Sequence, residues 1–350
     1  MSIDGSSQRI KFYQTGTWTI GNRLLDPEQR TVQASADRSN ALTCGHRACQ
    51  GCGEALAARY ALDAALRATD GRLIAVNATG CLEVFTTPYP ESSWQIPWLH
   101  SLFGNAAAVA SGVAAALRTS GREDIRVVAQ GGDGGTTDIG LGCLSGMFER
   151  NDDVLYICYD NEAYMNTGVQ RSSATPPGAR TATTPAAGPR PGNDRGTGKS
   201  VPRIAMAHDI PYVATATVAD LHDLEAKVTR AMEFHGSRYI HILVPCPLGW
   251  GSEPAVTIRL ARLATESGLF PLFEAEHGQV VRSTPIRHLT PVADYLKLQK
   301  RFAHLFKANG NQEYAQSGLH VLQAEASRNI SIYNLNPAAS ADGDRGGIDS

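Results

Sequence analysis

The chain has 350 residues, 42% of them hydrophobic and 19% charged, and its 32 basic and 34 acidic residues leave a formal charge of −2. That length holds one large domain or two ordinary ones around a sizeable core. Near-neutrality without a basic stripe argues against nucleic acid, and nothing approaches the roughly 18–20 unbroken apolar residues of a membrane span. The longest small apolar run, Ala106 to Leu117, is interrupted by Ser111 and Gly112. The start, Met1 to Lys11, is polar and lacks the apolar centre of a secretory signal, so the expected compartment is the cytoplasm.

Residues 1–43 are polar with scattered aromatics and no sustained period, and read as an N-terminal arm. Chemistry begins at Cys44-Gly-His46-Arg-Ala-Cys49-Gln-Gly-Cys52-Gly-Glu54, after which Leu56, Tyr60 and Ala64 recur at helical spacing. Leu73 to Val76 reads as a buried strand, and small residues from Gly104 to Arg118 as a closely packed helix. Ile125 to Ala129 reads as a strand running into the glycine turn Gln130-Gly-Gly-Asp133-Gly-Gly135. A helix is expected over Thr137–Arg150 and a strand over Val154–Tyr159. Strand, glycine turn, helix and strand make a βαβ unit, hence an α/β fold with a mostly parallel sheet and helices on both faces.

Residues 172–200 hold five prolines and five glycines and read as a long loop, of the kind that is functional or disordered. Tyr212–Thr217, the helix-like stretch 220–235 and Tyr239–Val244 return to the α/β pattern. The sheet is expected to end at Pro245-Cys246-Pro247-Leu-Gly-Trp250, with a last amphipathic helix over Pro291–Leu305 and a disordered end over 337–350. The domain so defined runs 44–310, with 311–350 as a C-terminal extension.

A glycine turn between strand and helix lets backbone N–H groups approach phosphate oxygens. Asp133 inside it adds the carboxylate that a Mg²⁺ bridging to phosphate requires. Asn161, about 30 residues on at the end of the next strand, supplies a second oxygen. The seven cysteines (44, 49, 52, 81, 143, 158 and 246) are too few for a disulfide scaffold. Cys49 and Cys52 form a Cys-x-x-Cys bite, with Cys81 and Cys246 further along. Spacing leaves three readings open: a structural zinc site, a redox dithiol, or a [4Fe–4S] cluster, in whose ligand runs cysteine often precedes proline as Cys246 does. Cys143 and Cys158 fall within apolar patterns and read as core, and Cys44 is an alternative fourth thiolate.

The stretches GHRACQGCGEALAARYAL, NATGCLEVFTTPYP, SLFGNAAAVASGVAAAL, GGDGGTTDIGLG, YDNEAYMNTGVQRSSATP and PCPLGW occur in this order between about residues 44 and 250. Together they resemble the β subunit of pyruvate:ferredoxin oxidoreductase, as does LTPVADYLKLQKRF beyond them. The resemblance implies a thiamine-diphosphate-binding fold and a cytoplasmic hetero-oligomeric enzyme for CoA-dependent oxidative decarboxylation of a 2-oxoacid, with ferredoxin as acceptor. Pyruvate is the first-choice substrate, ahead of 2-oxoglutarate and branched-chain or aryl 2-oxoacids such as phenylglyoxylate. Carried over by position, Cys49, Cys52, Cys81 and Cys246 hold a [4Fe–4S] cluster, and Asp133, Asn161 and the carbonyl of Ala163 hold Mg²⁺. Gly132, Gly134 and Gly135, with Asn161, Glu162, Ala163, Tyr164, Met165 and Asn166, cradle thiamine diphosphate. Glu54 and Cys81 lie against the thiamine, and Glu54 and Asn166 are the catalytic candidates. An α subunit completes the active site, and γ and ferredoxin-like δ subunits complete the assembly. Glu83, His100 and Arg171 are further substrate-facing candidates, and His46 a local hydrogen-bonding group. Rival readings are a non-redox thiamine-dependent decarboxylase or synthase, and a zinc-stabilised binding subunit without catalysis.

Overall fold

Central parallel strands are covered by helices on both sides, so they carry apolar residues at nearly every position. Val154–Asp160 (VLYICYD) is buried along its whole length. Its side chains alternate in direction, as the two-residue repeat of a strand requires. Leu155, Ile157 and Tyr159 join one hydrophobic cluster. Val154, Tyr156 and Cys158 join another on the opposite face. Each large apolar side chain so buried contributes about 1.5–3 kcal/mol before the entropy of ordering is counted.

The computed structural model describes residues 40–43, 45–87, 92–187, 192–306 and 312–336. The N-terminal arm up to residue 39, Cys44 and the 337–350 end lie outside the described residues. In chain order the elements are α1 (Gly53–Ala68), β1 (Leu73–Ala78), α2 (Cys81–Thr86), β2 (Trp98–Ser101), α3 (Ala106–Thr119), β3 (Arg126–Gly132), α4 (Leu141–Glu149), β4 (Val154–Asp160), α5 (Val201–Ala207), β5 (Tyr212–Thr217), α6 (Leu221–Glu233), β6 (Arg238–Leu243), α7 (Pro247–Trp250), α8 (Thr257–Glu266), β7 (Phe273–Glu276), β8 (Gln279–Ser283), α9 (Val292–Lys297) and α10 (Gln312–Ile332). One eight-stranded sheet runs β2-β1-β3-β4-β6-β5-β7-β8. Its first six strands are parallel, and β7 and β8 are antiparallel. The expected α/β architecture, with a mostly parallel sheet and helices on both faces, is therefore present.

Helices α1 and α6 cover one face, where the alanines of α1 (Ala57, Ala58, Ala61, Ala64 and Ala65) meet Leu224 and Val228 of α6. Helix α6 starts on Asp220, whose side chain accepts from the N–H of Asp223 at 3.0 Å, a normal N-cap. Helices α3 and α4 cover the other face through Ala106, Ala110, Leu144 and Met147. A third cluster gathers Leu243 and Trp250 with Leu260 of α8, Tyr295 of α9, and Leu322 and Ala326 of α10. The described part of 311–350 thus packs into the body of the molecule.

Several expectations need correction. The sheet does not end at Pro245, because β7 and β8 add a hairpin beyond β5. Its turn is His277-Gly278, both at positive φ, the geometry of a two-residue hairpin. Pro291–Leu305 is not one helix: α9 stops at Lys297 and a tighter 3₁₀ turn covers Lys300–Phe306. Nor is it the last, since α10 follows. The helix expected over Thr137–Arg150 is divided between a π-helical turn, Gly134–Ile139, and α4. Among the described residues of the 172–200 segment there is no helix or strand.

Candidate functional site

Parallel strands deliver all their carboxyl ends to one edge of the sheet. Here β1 runs out into Gly80-Cys81, β3 into Asp133, β4 into Asn161, and β6 into Pro245-Cys246. These strands are neighbours in the order β1-β3-β4-β6, so four separated motifs meet in one row. Beyond β1 the chain goes outward to β2 and then returns to β3 on the other side. Such a reversal opens the crevice in which α/β sheets bind ligands. Helix α1 presents its N-terminal end to the same edge. The N–H of Gly53 donates to the carbonyl of Pro245 at 3.2 Å, and a Cβ at Gly53 would come within 2.9 Å of Pro245 backbone. Glycine there keeps Cys52 and Glu54 beside Cys246.

Among the buried side-chain oxygens without a hydrogen-bond partner are Asp133 Oδ1 and Asn161 Oδ1, at the ends of neighbouring strands. Their companion atoms are engaged. Asp133 Oδ2 accepts from the Ser172 hydroxyl, and Asn161 Nδ2 donates to Glu54 Oε2 at 3.3 Å. A buried acceptor without a donor costs about 1–3 kcal/mol, so two at neighbouring strand ends fit a cation that takes oxygen ligands. Burial and the charge of Asp160 push the Asp133 carboxyl well above the usual carboxylate range, against the Ser172 hydrogen bond. Burial likewise raises Glu54 to about 7, with the Asn161 amide opposing it.

The glycines divide by what surrounds them. A Cβ at Gly132 would meet nothing nearer than the Tyr159 carbonyl at 3.9 Å, and one at Gly80 would meet nothing within 4 Å. Protein packing does not require these two glycines, and the bare backbone fits close approach by a phosphate group. Gly134 and Gly135 also have packing reasons, since their Cβ atoms would lie 2.6 Å from the Tyr164 ring and 2.9 Å from the Phe103 carbonyl. Tyr164 itself donates to Asp138 Oδ2 at 3.2 Å. Glu162, in the left-handed region at φ 65°, pairs with buried Arg301, whose guanidinium stacks 4.0 Å from the Trp250 ring. Trp250 Nε1 donates to the carbonyl of Asn161 at 2.8 Å, which fixes the main chain of the turn.

Cys49, Cys52, Cys81 and Cys246 line one cavity of about 90 Å³, and Glu54, Asn161 and Asn166 line it with them. Cys49 and Cys52 reach it from one turn, in which Cys52 N–H donates to the Cys49 carbonyl at 3.1 Å. Cys246 Sγ accepts from the N–H of Gly249 at 3.4 Å, and Met165 packs beside Gly249. Burial pushes the Cys52 thiol up to about 12, with Glu54 adding to the effect. Cys81 is raised further, again by burial first and then by Glu54 and the neighbouring thiols. Among the described residues, no three His, Cys, Asp or Glu side chains converge tightly enough to hold a single metal ion. The four cysteines share the lining of one cavity. Cys143 and Cys158 lie instead with the apolar residues under α3 and α4.

The other candidates have local partners. Glu83 accepts from the Thr87 hydroxyl at 2.8 Å, His100 Nε2 is 2.7 Å from Thr79 Oγ1, and Arg171 Nε donates to Asn193 at 3.0 Å. His46 Nδ1 accepts from the N–H of Ala48 at 3.3 Å. Ala163 is buried within the β4 turn. Five site residues escaped the sequence reading: Asp138, Ser172, Ser173, Thr175 and Lys199. Lys199 Nζ lies 2.9 Å from Asp138 Oδ1, from the Thr137 carbonyl and from Ser173 Oγ. Burial raises the Asp138 carboxyl, but hydrogen bonds from Lys199 and Ser173 outweigh it and hold the group below its ordinary value. The paired serine Ser172-Ser173 follows Asn166 only after five intervening residues, and residue type alone does not single it out.

An open glycine turn, with a carboxylate and an amide at adjacent strand ends, makes this an α/β domain suited to a diphosphate ligand. The family profile described as "Thiamine pyrophosphate enzyme, C-terminal TPP binding domain" matches residues 78–242, which contain that turn and both oxygen donors. The chain is 50% identical over 295 residues to pyruvate synthase subunit PorB of Methanosarcina barkeri (strain Fusaro / DSM 804), covering 84% of this chain and 97% of that one. It is 51% identical to the PorB subunit of Methanothermobacter thermautotrophicus over 79% of this chain and 95% of the relative. It is 44% identical to the ketoisovalerate oxidoreductase subunit VorB of Pyrococcus abyssi, over 75% and 85%. The chain belongs to the family of β subunits of pyruvate:ferredoxin oxidoreductase, and is a thiamine-pyrophosphate-binding subunit of a 2-oxoacid oxidoreductase. Among the described residues no helix is long and apolar enough to cross a membrane.

Proposed function

We propose that this chain holds thiamine diphosphate, Mg²⁺ and one [4Fe–4S] cluster, and serves CoA-dependent oxidative decarboxylation of pyruvate with electrons passed to ferredoxin. One observation carries the reading. Asn161, whose free oxygen is a cation donor, also lines the cavity lined by Cys49, Cys52, Cys81 and Cys246. A diphosphate site and a thiol cavity with a shared wall suit a cofactor that must give electrons to a cluster.

In this reading Asp133, Asn161 and the Ala163 carbonyl hold the cation, and the bare backbone around Gly132 admits the diphosphate. Bound thiamine diphosphate supplies the nucleophilic carbanion and the electron sink for loss of CO₂. The chain's own part is orientation. Glu54 accepts the Asn161 amide, so the amide oxygen stays turned to the cation. Asn166 faces the same cavity and is positioned to touch the reacting end of the cofactor. Four thiolates would hold a four-iron cluster, and metal binding would bring down the raised values of Cys52, Cys81 and Cys246. The α subunit would complete the active site around the pyrimidine and the substrate carboxylate, with γ and ferredoxin-like δ subunits carrying the remaining functions. Cytoplasmic assembly follows from the same reading. Kinship to a ketoisovalerate oxidoreductase subunit makes a branched-chain 2-oxoacid the second substrate reading.

The test is metal analysis of anaerobically purified protein. The expected result is about four iron and four sulfide per chain, with broad absorbance near roughly 400 nm. Cys49→Ala, Cys52→Ala, Cys81→Ala and Cys246→Ala each lose the cluster, while Cys143→Ala and Cys158→Ala keep it. Stoichiometric zinc without that absorbance would overturn the cluster assignment.

A further inference from the structure

The two cation donors sit on neighbouring strand ends, and a third segment ties those ends together. Ser172 is fully buried, and its hydroxyl donates to Asp133 Oδ2. The same hydroxyl accepts from the N–H of Ala174 at 3.1 Å. Thr175 Oγ1 accepts from the N–H of Ser172 at 2.9 Å and donates to the carbonyl of Glu162 at 2.7 Å. Each hydroxyl has one proton to give. That of Thr175 goes to Glu162, so the hydroxyl of Ser172, 3.5 Å from Thr175 Oγ1, has Asp133 as its strong acceptor. With Asp133 as the carboxylate that a cation would meet, the bond directions in this group are set.

We propose that Ser172 and Thr175 are positioning residues for the divalent cation, a clamp that sets its oxygen donors before it arrives. Ser172 engages one oxygen of Asp133 and leaves Oδ1 for the cation. Thr175 holds the main chain between Asn161 and Ala163. The proposal rests on reading Asp133 and Asn161 as cation donors. Glu162 shows why a clamp is needed: a non-glycine residue at φ 65° persists only where its surroundings over-determine it. Its N–H donates to Asp160 Oδ1 at 2.8 Å, its carboxylate meets Arg301, and its carbonyl is held by Thr175. The clamp is itself anchored. Ser173 N–H and Lys199 Nζ each lie 2.9 Å from the carboxylate of Asp138, which stands on the π-helical turn directly after Asp133. Both ends of the 172–200 loop are thus fastened to the turn that carries the cation ligand.

The measurement is thiamine-diphosphate-dependent Mn²⁺ binding to the assembled complex, read by electron paramagnetic resonance and independent of turnover. Loss of an outer-shell partner of a metal ligand typically costs 10–100-fold in affinity. Ser172→Ala is expected to weaken Mn²⁺ binding by about that factor, and Ser172→Thr, which keeps the hydroxyl, to recover most of it. Ser173→Ala loosens the same loop without touching Asp133 and should weaken binding less. Wild-type affinity in Ser172→Ala, or equal losses in the two serine variants, overturns the clamp. If Ser172→Ala does not assemble, Thr175→Val decides, with weakened binding expected and unchanged binding contradicting the proposal. Loss in Asp133→Ala alone would leave the cation site standing without the clamp. Unchanged binding in Asp133→Ala would remove the cation site itself, and the clamp with it.

Discussion

Asp133 and Asn161 each use one polar atom inside the protein and leave one oxygen bare, although both residues are buried. That asymmetry gives the residue-scale prediction. Asp133→Ala and Asn161→Ala should abolish Mg²⁺-dependent binding of thiamine diphosphate, because the diphosphate charge loses its compensation. Iron content should stay nearly intact, since the thiol cavity has its own ligands. Calorimetric titration of the assembled complex checks this, and unchanged cofactor affinity in Asp133→Ala would mean the glycine turn has been misread. These residues were legible in the sequence because their chemistry lies in residue type and spacing. Ser172, Thr175 and Lys199 were not. A serine meeting an aspartate 39 positions away leaves no local pattern, and a lysine in a Pro/Gly-rich loop looks like a solvated charge.

At the scale of elements, the buried strands were legible because parallel strands covered on both faces are apolar throughout. The β7–β8 hairpin went unread. Its alternating Phe273-Glu-Ala-Glu276 is short, and its turn uses His-Gly in place of the commoner Asn-Gly or Asp-Gly. The π-helical turn was also hidden, since one extra residue per turn barely disturbs a helical pattern. Helix α10 yields a prediction of its own. Burial pushes Glu325 up to about 7, with Arg328 at 3.8 Å only partly opposing it. Above its ordinary value the folded state holds the proton longer than the unfolded chain does. Stability from this group is therefore fully present below about pH 4.5 and is lost as pH rises through about 7. Glu325→Gln should flatten that decline and raise the melting temperature at pH 8 more than at pH 5. Melting curves at both values test it, and an equal shift at the two would contradict it.

For the whole molecule, the sheet edge gathers donors from four strands, yet the chain packs nothing closely against Gly80 or Gly132. A thiazolium held only by its diphosphate would lack the fixed orientation and preorganised field that such chemistry needs. The chain by itself should therefore oxidise no 2-oxoacid, and activity should return with its α partner. The most direct measurement follows CO₂ release and viologen reduction together, with pyruvate, coenzyme A and thiamine diphosphate, for the chain alone and for the assembled complex. The account predicts neither signal from the chain alone, and from the complex two electrons to the dye for each CO₂, strictly dependent on coenzyme A. CO₂ released by the complex without dye reduction would make it a non-redox decarboxylase, and full turnover by the single chain would contradict the reading that an α subunit completes the site.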